Sequence, residues 1–322
     1  MIRAKLTKAK WIGIGAGAVA LAACGAVAQK SETDRSKLPT PSGLVADAPK
    51  SDWVEINADD LLVMDLPPIE TVTGTKERRV VIQLMPAPFS QGWVGNIKKL
   101  AKAHWWDGTA IVRVQDNYVT QWGDPNGEDE AKAKPLPAGI VTVPESAYLS
   151  ALPSKASKNA NRDSYAQTTG YAAGWPYASN NKAAWPLHCY GAVGVGRNVS
   201  PNTGSGAELY TVIGQATRQL DRNIAVVGRI VSGMEWMSSL PRGTGELGFY
   251  EDPRERTTIT SVRLASELPA AERPRFEYMN TDSATFAKYL NLRANRNDAF
   301  YNLPAGGVDI CNAPVPVRPV KS

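Results

Sequence analysis

The fold is decided by the stretch Arg113-Val114-Gln115-Asp116-Asn117-Tyr118-Val119-Thr120-Gln121-Trp122-Gly123-Asp124. Apolar residues towards both ends of this stretch favour strands, whereas the polar residues between them are typical of a turn. Gly123-Asp124, with Pro125 directly after it, ends the second strand. The stretch therefore predicts two short strands, of which the first carries an arginine and the second a glutamine.

Short apolar runs on both sides of this stretch predict a mainly β protein. Upstream, Asp60–Leu66 and Arg79–Leu84 are joined by a segment rich in Thr, Gly and Lys, which predicts a hairpin. Trp93, Ile97, Leu100 and Ala101 then recur at helical spacing. Downstream, strands are predicted at Gly191–Val195, Ala207–Ile213, Ile224–Ile230 and Thr257–Leu264, with a helix at Ser232–Leu240. Many short strands with two separated helices predict a closed or nearly closed barrel with helical caps.

In this order, the elements resemble those of cyclophilins, a family of peptidyl-prolyl isomerases. Residues 113–124 are similar to the family's segment of an arginine, a turn, an aromatic residue, a glutamine and a closing Gly-Asp. Three further segments are similar to the family. Ser200–Gly204 resembles its Gly-Pro-Asn-Thr loop, and Ala207–Tyr210 resembles its Ser-Gln-Phe-Phe strand. Leu220-Asp221 together with Val226–Ile230 resembles its Leu-Asp…Val-Phe-Gly-Lys-Val run. The resemblance covers roughly Asp60 to Leu264. It implies a closed antiparallel eight-stranded barrel capped by two helices.

Outside the resemblance, the chain divides into an N-terminal segment, an insertion and a C-terminal extension. Residues 29–51 are polar, charged and free of aromatic residues, which predicts a flexible tether before a cyclophilin-like domain at 52–266. Residues 126–184 interrupt that domain and show little periodicity, which predicts a long irregular insertion. In the extension, residues 267–322, a capping residue and an apolar side predict an extra helix at about 282–293.

The resemblance implies non-covalent catalysis of X–Pro isomerisation. Amide resonance sets a barrier of about 18–20 kcal/mol, and an enzyme lowers it by binding the twisted amide better than the planar one. By resemblance, Arg113 donates towards the prolyl nitrogen and Gln121 holds a substrate carbonyl. The implied substrate-binding residues are Tyr118, Val119, Leu209, Tyr210 and Ile224, which form an apolar slot for the proline ring, together with Asn198 and Glu208.

Three departures from the family's pattern leave a second function open. Val112 stands where histidine is common, Glu208 where glutamine is usual, and Gln219 where an aromatic residue is usual. The first hypothesis is an isomerase, a divergent exported bacterial cyclophilin that assists the folding of exported proteins. The alternative is a cyclophilin-fold peptide-binding module or chaperone with little or no isomerase activity.

The N-terminus is typical of an export signal. A basic stretch, residues 1–10, precedes the Gly/Ala-rich run Trp11–Ala23. Two processing sites compete: Leu21-Ala22-Ala23-Cys24 fits a lipobox in which Cys24 is lipidated, and Ala26-Val27-Ala28 fits a cleavage site that ends a signal peptide at residue 28. Both predict a periplasmic protein whose only membrane contact is an N-terminal lipid anchor, if it has one.

The export signal changes the interpretation of the cysteines. With Cys24 removed or lipidated, Cys189 and Cys311 remain, and an even pair in an oxidising compartment predicts a disulfide. Two separate buried thiols are the alternative, since free cysteine is a common core residue.

The composition argues against several other functions. Of the net charge of +5, four charges belong to the basic residues among the first ten, so nucleic-acid binding is not expected. The chain has only two histidines and neither a P-loop nor an HExxH motif, so neither a metal nor a cofactor is expected. The expected partners are proline-containing polypeptides, and we expect a monomer.

Overall fold

The computed structural model describes residues 34–320, which form many short strands and few helices. The α-helices are α1 (Pro41–Ala46), α2 (Gln91–Lys102), α3 (Met234–Ser238) and α4 (Ala284–Ala294). The strands are β1 (Trp53–Glu55), β2 (Leu61–Thr71), β3 (Gly74–Leu84), β4 (Ala110–Val114), β5 (Val119–Gly123), β6 (Ser157–Lys158), β7 (Thr168–Ala172), β8 (Trp175–Ser179), β9 (Ala184–Pro186), β10 (Ala192–Val195), β11 (Leu209–Val212), β12 (Val226–Ser232), β13 (Thr257–Thr258), β14 (Ser261–Leu264), β15 (Phe276–Met279) and β16 (Val317–Pro319). Across the described range, the helices are too short or too polar to span a bilayer.

Nine strands form one antiparallel sheet that curls round on itself. Their order is β13-β4-β5-β11-β10-β12-β3-β2-β14. The two edge strands, β13 and β14, are separated only by Ile259 and Thr260, so one segment pairs with β4 at one edge and with β2 at the other. Between them, the Ile259 amide donates to the Thr109 carbonyl and the Thr260 amide to the Asp65 carbonyl. Counted as one segment, β13 and β14 complete the eight-stranded barrel predicted from the sequence.

Strand β2 shows why an uninterrupted apolar run suits this barrel. Successive side chains of a strand point to opposite faces. Leu62 and Met64 belong to the main core, whereas Leu61 and Val63 pack in a separate cluster with Phe276 of the C-terminal extension. Both faces of β2 are therefore buried, and its sequence lacks the polar alternation of a half-exposed strand.

The predicted helices are present at the expected places. In α2, the residues at helical spacing, Trp93, Ile97 and Leu100, are fully buried in the main core. The short helix α3 lies within the predicted range 232–240. At the C-terminus, α4 forms the expected extra helix, and the Ser283 hydroxyl caps it by accepting a hydrogen bond from the Phe286 amide.

The predicted flexible tether at 29–51 is wrong for the residues that are described, 34–51. Thr40 caps helix α1 by accepting a hydrogen bond from the Gly43 amide, and Pro41 occupies the first turn. Leu44 and Val45 pack against a second hydrophobic core that includes residues of α4. The segment is ordered because a distant part of the chain covers its few apolar residues. Residues 29–33, the predicted signal peptide at 1–28 and Cys24 lie outside the described residues.

The predicted irregular insertion at 126–184 is also partly wrong. Its first half has no strand, but β6, β7, β8 and β9 form a four-stranded sheet that starts at residue 157. A two-residue turn with positive φ at Ala173 and Gly174 joins β7 to β8, as in tight hairpins. Alanine at the first position hides this turn in the sequence, since glycine and asparagine are the usual signals.

The inserted sheet and the C-terminal extension share the second hydrophobic core. Its largest side chains include Trp53, Tyr171, Trp185 and Phe286, which come from β1, from two strands of the inserted sheet and from α4. Strand β1 pairs with β15 of the extension rather than with the barrel, although the predicted boundary at residue 52 groups it with the barrel. The predicted disulfide between Cys189 and Cys311 is confirmed, and it joins the segment before β10 to the extension.

Candidate active site

Residues that pair across four strands place three functional side chains in one row. Arg113 on β4 pairs with Gln121 on β5, Gln121 with Tyr210 on β11, and Tyr210 with Gly194 on β10. Residues directly opposite one another in antiparallel strands point to the same face of the sheet. Glycine at position 194 leaves room for the tyrosine, because a Cβ atom there would lie 2.3 Å from the Tyr210 hydroxyl oxygen. The register therefore sets a guanidinium, an amide and a phenol side by side.

The guanidinium of Arg113 is held in place by its neighbours. Nε donates to the Leu247 carbonyl at 2.7 Å, Nη1 donates to Gln121 Oε1 at 3.2 Å, and Nη2 donates to the side-chain oxygen of Gln115. The Phe249 ring lies 5.3 Å from the guanidinium carbon. Burial lowers the pKa of Arg113, but the ordinary value is so high that the group stays charged at neutral pH.

The hydrogen bonds of Arg113 leave it able to bind a substrate. A guanidinium carries five N–H groups. Within residues 34–320, its hydrogen bonds to protein acceptors use three of them, one on each nitrogen. The remaining N–H groups belong to the two terminal nitrogens. Arg113 is therefore fixed in orientation and still has donors for a bound peptide.

Four of the five predicted slot residues lie near this row. Val119 is two residues from Gln121 on β5, so its side chain points to the same face. Tyr118 lies 5.5 Å from the Arg113 guanidinium carbon. Ile224 lies two residues before Val226 of β12, and Val226 pairs with Gly194 at the end of the row. An arginine, a glutamine and several apolar side chains thus share one side of the sheet.

Leu209 is the exception, and its predicted place in the slot is wrong. It is adjacent to Tyr210 on β11, so its side chain points to the opposite face of the sheet. There it pairs with Trp122, and both residues are almost completely buried in the main core. The strand period of two separates neighbouring residues that a sequence match groups together.

A cavity of about 600 Å³ opens beside Gln121. Asn198 and Glu208 line it, so the structure brings both predicted substrate-binding residues together with the predicted catalytic glutamine. Part of the lining comes from the insertion, at Gly127, Glu128 and residues between 136 and 142. Nothing in the residue pattern of the insertion indicates that it contributes to this site.

The carboxyl group of Glu208 is packed against backbone at the edge of this cavity. A Cβ atom at Gly123 would lie 2.1 Å from the carboxyl group, so glycine is needed there to admit it. The Asp124 amide donates to Glu208 Oε1 at 2.8 Å. Burial raises the pKa of Glu208 to about 8, because it outweighs the hydrogen bonds from the Asp124 amide and the Gln121 side chain, which favour the charged form.

A chain of buried polar groups lies behind Tyr210. The Tyr210 hydroxyl and His188 Nε2 are 2.9 Å apart, and His188 Nδ1 is 3.0 Å from Asp221 Oδ1. Arg218 Nε donates to Asp221 Oδ2 at 2.5 Å, and both terminal nitrogens of Arg218 donate to Asp163 of the insertion. In the neutral tautomer whose Nδ1–H donates to the Asp221 carboxylate, Nε2 accepts the hydrogen bond of the Tyr210 hydroxyl. The insertion is thus connected to a residue of the candidate site.

Sequence reasoning missed this chain of contacts. Its members lie between residues 163 and 221, on the insertion and on three separate parts of the barrel, with no common motif. His188 lies just before β10, and its partners depend on the fold. Arg218 stands directly before the departure at Gln219, but its burial, which requires acidic partners, cannot be read from the sequence.

The comparison with protein families agrees with this geometry. The family described as cyclophilin type peptidyl-prolyl cis-trans isomerase/CLD matches residues 70–264. The chain belongs to this family and is a peptidyl-prolyl cis–trans isomerase. The match spans the barrel from the end of β2 onwards, together with the whole insertion.

Solved structures extend the likeness in fold. The crystal structure of the cyclophilin AquaCyp293 from Hirschia baltica has a TM-score of 0.63 and 22% sequence identity, over 88% of this chain and 98% of that chain. A cyclophilin type peptidyl-prolyl cis-trans isomerase from Cryptosporidium parvum has a TM-score of 0.38 and 13% identity, over 63% of this chain and 97% of that chain. No curated protein sequence matched. The first of these structures shows that the shared fold reaches beyond residues 70–264.

Proposed function

We propose that Arg113 is the catalytic residue of this isomerase and that its substrates are proline-containing segments of exported proteins. The observation that carries the proposal is the row formed by Arg113, Gln121 and Tyr210. In this row a fixed cation lies next to an amide and to apolar side chains, which is the set of groups that an X–Pro segment requires.

The chemistry follows from the loss of amide resonance. Rotation about the X–Pro bond leaves the prolyl nitrogen with a lone pair that it lacks in the planar amide. An N–H group of Arg113 that donates to this nitrogen therefore stabilises the twisted amide more than the planar one, which lowers the barrier. The hydrogen bonds that hold Arg113 orient it before substrate binds, so little reorganisation is needed during the reaction.

Gln121 is suited to hold the peptide backbone. Its Oε1 accepts from Arg113, and its side chain also bonds Glu208, so the second N–H of Nε2 is the donor that can reach a substrate carbonyl. Tyr118, Val119 and Ile224 supply apolar surface for the pyrrolidine ring, whose burial favours binding by the hydrophobic effect. A peptide held at these points presents its prolyl nitrogen to the guanidinium.

Refolding of a client protein tests the proposed function. The substrate is a small secreted protein whose slow refolding phase, lasting tens of seconds, is limited by isomerisation of one X–Pro bond. We expect the rate of that phase to increase in proportion to the concentration of the added isomerase. An unchanged slow phase with a higher yield of folded client would instead support the peptide-binding chaperone, and no effect on either would contradict both functions.

Export to the periplasm is part of the same proposal. The features of residues 1–28 support it, and so does the disulfide, since such bonds persist in oxidising compartments. Residues 1–51 fused to an alkaline phosphatase without its own signal should give an active enzyme, which forms only after export. An inactive fusion that is produced in full would contradict export. A Cys24→Ala fusion that loses a lipid mass would assign lipidation to Cys24, and one of unchanged mass would assign plain cleavage.

A further inference from the structure

The cavity beside Gln121 is a built feature with two fixed walls. Asn96 of α2 is fully buried, and its side chain both donates to the Val141 carbonyl at 2.8 Å and accepts from the Val141 amide at 3.0 Å. The same side chain donates to the Ser205 carbonyl at 3.0 Å. The Thr203 hydroxyl donates to the Val143 carbonyl at 2.6 Å. These bonds tie the insertion segment 136–143 and the loop 201–205, both of which contribute to the lining, to one another and to α2.

Acidic groups dominate the charge around this cavity. Glu208 and Glu128 line it, and Asp124 lies directly behind Glu208. The lining includes one arginine, Arg197, but its guanidinium donates to the Asn223 carbonyl at 3.1 Å and to the Asn198 carbonyl at 2.7 Å. At the rim, the Lys99 ammonium is bound to the Gly139 carbonyl. Arg197 and Lys99 are therefore both engaged with backbone oxygens, and Arg113, the other cation close to Gln121, is held by Leu247, Gln115 and Gln121. This leaves Glu208 as the lining carboxyl group beside Gln121 that could bind a cation.

The rest of the lining suits a long side chain with an apolar stem. Leu136, Pro137 and Ile140 of the insertion form an apolar part of the wall. Lysine and arginine place their methylene groups along apolar surface while the charged end reaches a polar partner. Because Gln121 pairs with Arg113, a peptide whose proline lies at Arg113 has neighbouring side chains within reach of the cavity.

We propose that this cavity binds an arginine or lysine side chain close to the proline of the substrate, and that Glu208 is the residue that selects it. The inference rests on the proposed function and adds a substrate preference to it. An ionised Glu208 would form a charge-assisted hydrogen bond with the cation, partly shielded from water by the insertion segment.

The proposal predicts a dependence on pH with a definite sign. The raised pKa of Glu208, about 8, keeps its carboxyl group largely protonated at pH 6.5, so a bound cation must first displace that proton. Above pH 8 the carboxylate is already present. Arginine is the better probe than lysine because it stays protonated throughout this range. The preference for arginine over glutamine should therefore be small at pH 6.5 and large at pH 9.

The experiment uses the whole protein and a series of short X–Pro peptides. Arginine, glutamine or glutamate is placed one, two or three positions before the proline, and kcat/KM is measured by NMR exchange spectroscopy at both pH values. At one position we expect arginine to be favoured over glutamine by about tenfold at pH 9, which corresponds to about 1.4 kcal/mol. Glutamate at that position should be disfavoured.

Two variants that each remove one negative charge distinguish a direct role of Glu208 from a general effect of negative charge near the site. Glu208→Gln should abolish the arginine preference and its pH dependence, whereas Glu130→Gln, at an exposed residue outside the cavity lining, should retain both. Equal rates for arginine and glutamine peptides at every position in the wild type would overturn the proposal, as would a preference that survives Glu208→Gln. The wild-type pH profile tests it without any variant.

Failure of the proposed function would be recognised separately. If no peptide is isomerised, that function fails, and calorimetric binding of the same peptides still tests the preference for arginine. Tighter binding of the arginine peptide at pH 9 than at pH 6.5 would then support the cavity's role, and equal binding would overturn it.

Discussion

Replacing Arg113 with alanine should lower kcat/KM for an X–Pro peptide by about 10²–10³-fold, the effect of removing a preorganised donor to the transition state. The loss should appear mainly in kcat, because the donor acts on the twisted amide more than on the planar one. Arg113→Lys should recover little, since an ammonium lacks the planar fork that bonds Leu247, Gln115 and Gln121 at once.

A protease-coupled assay with purified proteins measures this effect. Arg254→Ala is the matched control: its side chain is 90% exposed and pairs with Asp252, so it should isomerise the peptide at the wild-type rate. Thermal melting establishes that each variant is folded. A folded Arg113→Ala protein with kcat/KM within threefold of wild type would exclude Arg113 as the catalytic residue.

The second large effect concerns stability. Arg218→Met should lower the free energy of unfolding by about 3–5 kcal/mol, the cost of breaking a buried ion pair from one side. The side chains of Arg218, Asp163 and Asp221 are at most 5% exposed, so the substitution would leave two carboxylates buried without the cation between them. Methionine is close to arginine's apolar stem in size, so little of the loss would come from packing.

The pH dependence of this loss has a predictable direction. Burial alone would raise the pKa of Asp163, but the hydrogen bonds from Arg218 hold it below its ordinary value. A carboxyl group with a lowered pKa in the folded state contributes stability above its unfolded value, about 3.9, and this contribution is lost as pH falls through the folded value. In Arg218→Met the same carboxyl group stays buried without the cation, so it takes up a proton at a higher pH than the wild-type group does. The difference in stability between wild type and Arg218→Met should therefore be largest at neutral pH and shrink as pH falls through the acid range.

Urea denaturation followed by circular dichroism, repeated at several pH values, measures both the loss of stability in Arg218→Met and the pH dependence of that loss. Arg254→Met serves as the control for removal of a charge at the surface, and it should change stability by less than about 0.5 kcal/mol. A loss below about 1 kcal/mol at pH 7 for Arg218→Met would show that the buried carboxylates do not depend on this arginine.

The sequence was sufficient for the strands and helices of the barrel because their signals are local, whereas the closed eight-stranded arrangement was implied by the resemblance to cyclophilins. The strands around residues 113–124 and the helix with Trp93 and Ile97 follow from spacing alone, and the structure has them at those places. The face of each side chain also follows from the strand period, which would have excluded Leu209 from the slot. Matching Leu209 and Tyr210 as a pair ignored that period.

The ordered N-terminal segment and the inserted sheet could not be predicted in the same way. Leu44 and Val45 are too few to form a core alone, and they are buried only because the C-terminal extension reaches them. Tyr171 is an aromatic residue in the insertion and Trp185 directly follows it, but both have partners more than 100 residues away in sequence. Composition cannot show which distant surface will cover a polar segment.

The central claim is that a proline ring lies against Val119 and Ile224 while its nitrogen faces Arg113. Methyl-labelled protein with a short X–Pro peptide tests this in one NMR experiment, which reports exchange between the cis and trans peptide signals and contacts between the proline ring and the protein methyl groups. We expect exchange peaks that require the protein, together with nuclear Overhauser effects from the ring to the Val119 and Ile224 methyl groups. Exchange accompanied by contacts only elsewhere on the protein, or contacts without exchange, would contradict the account.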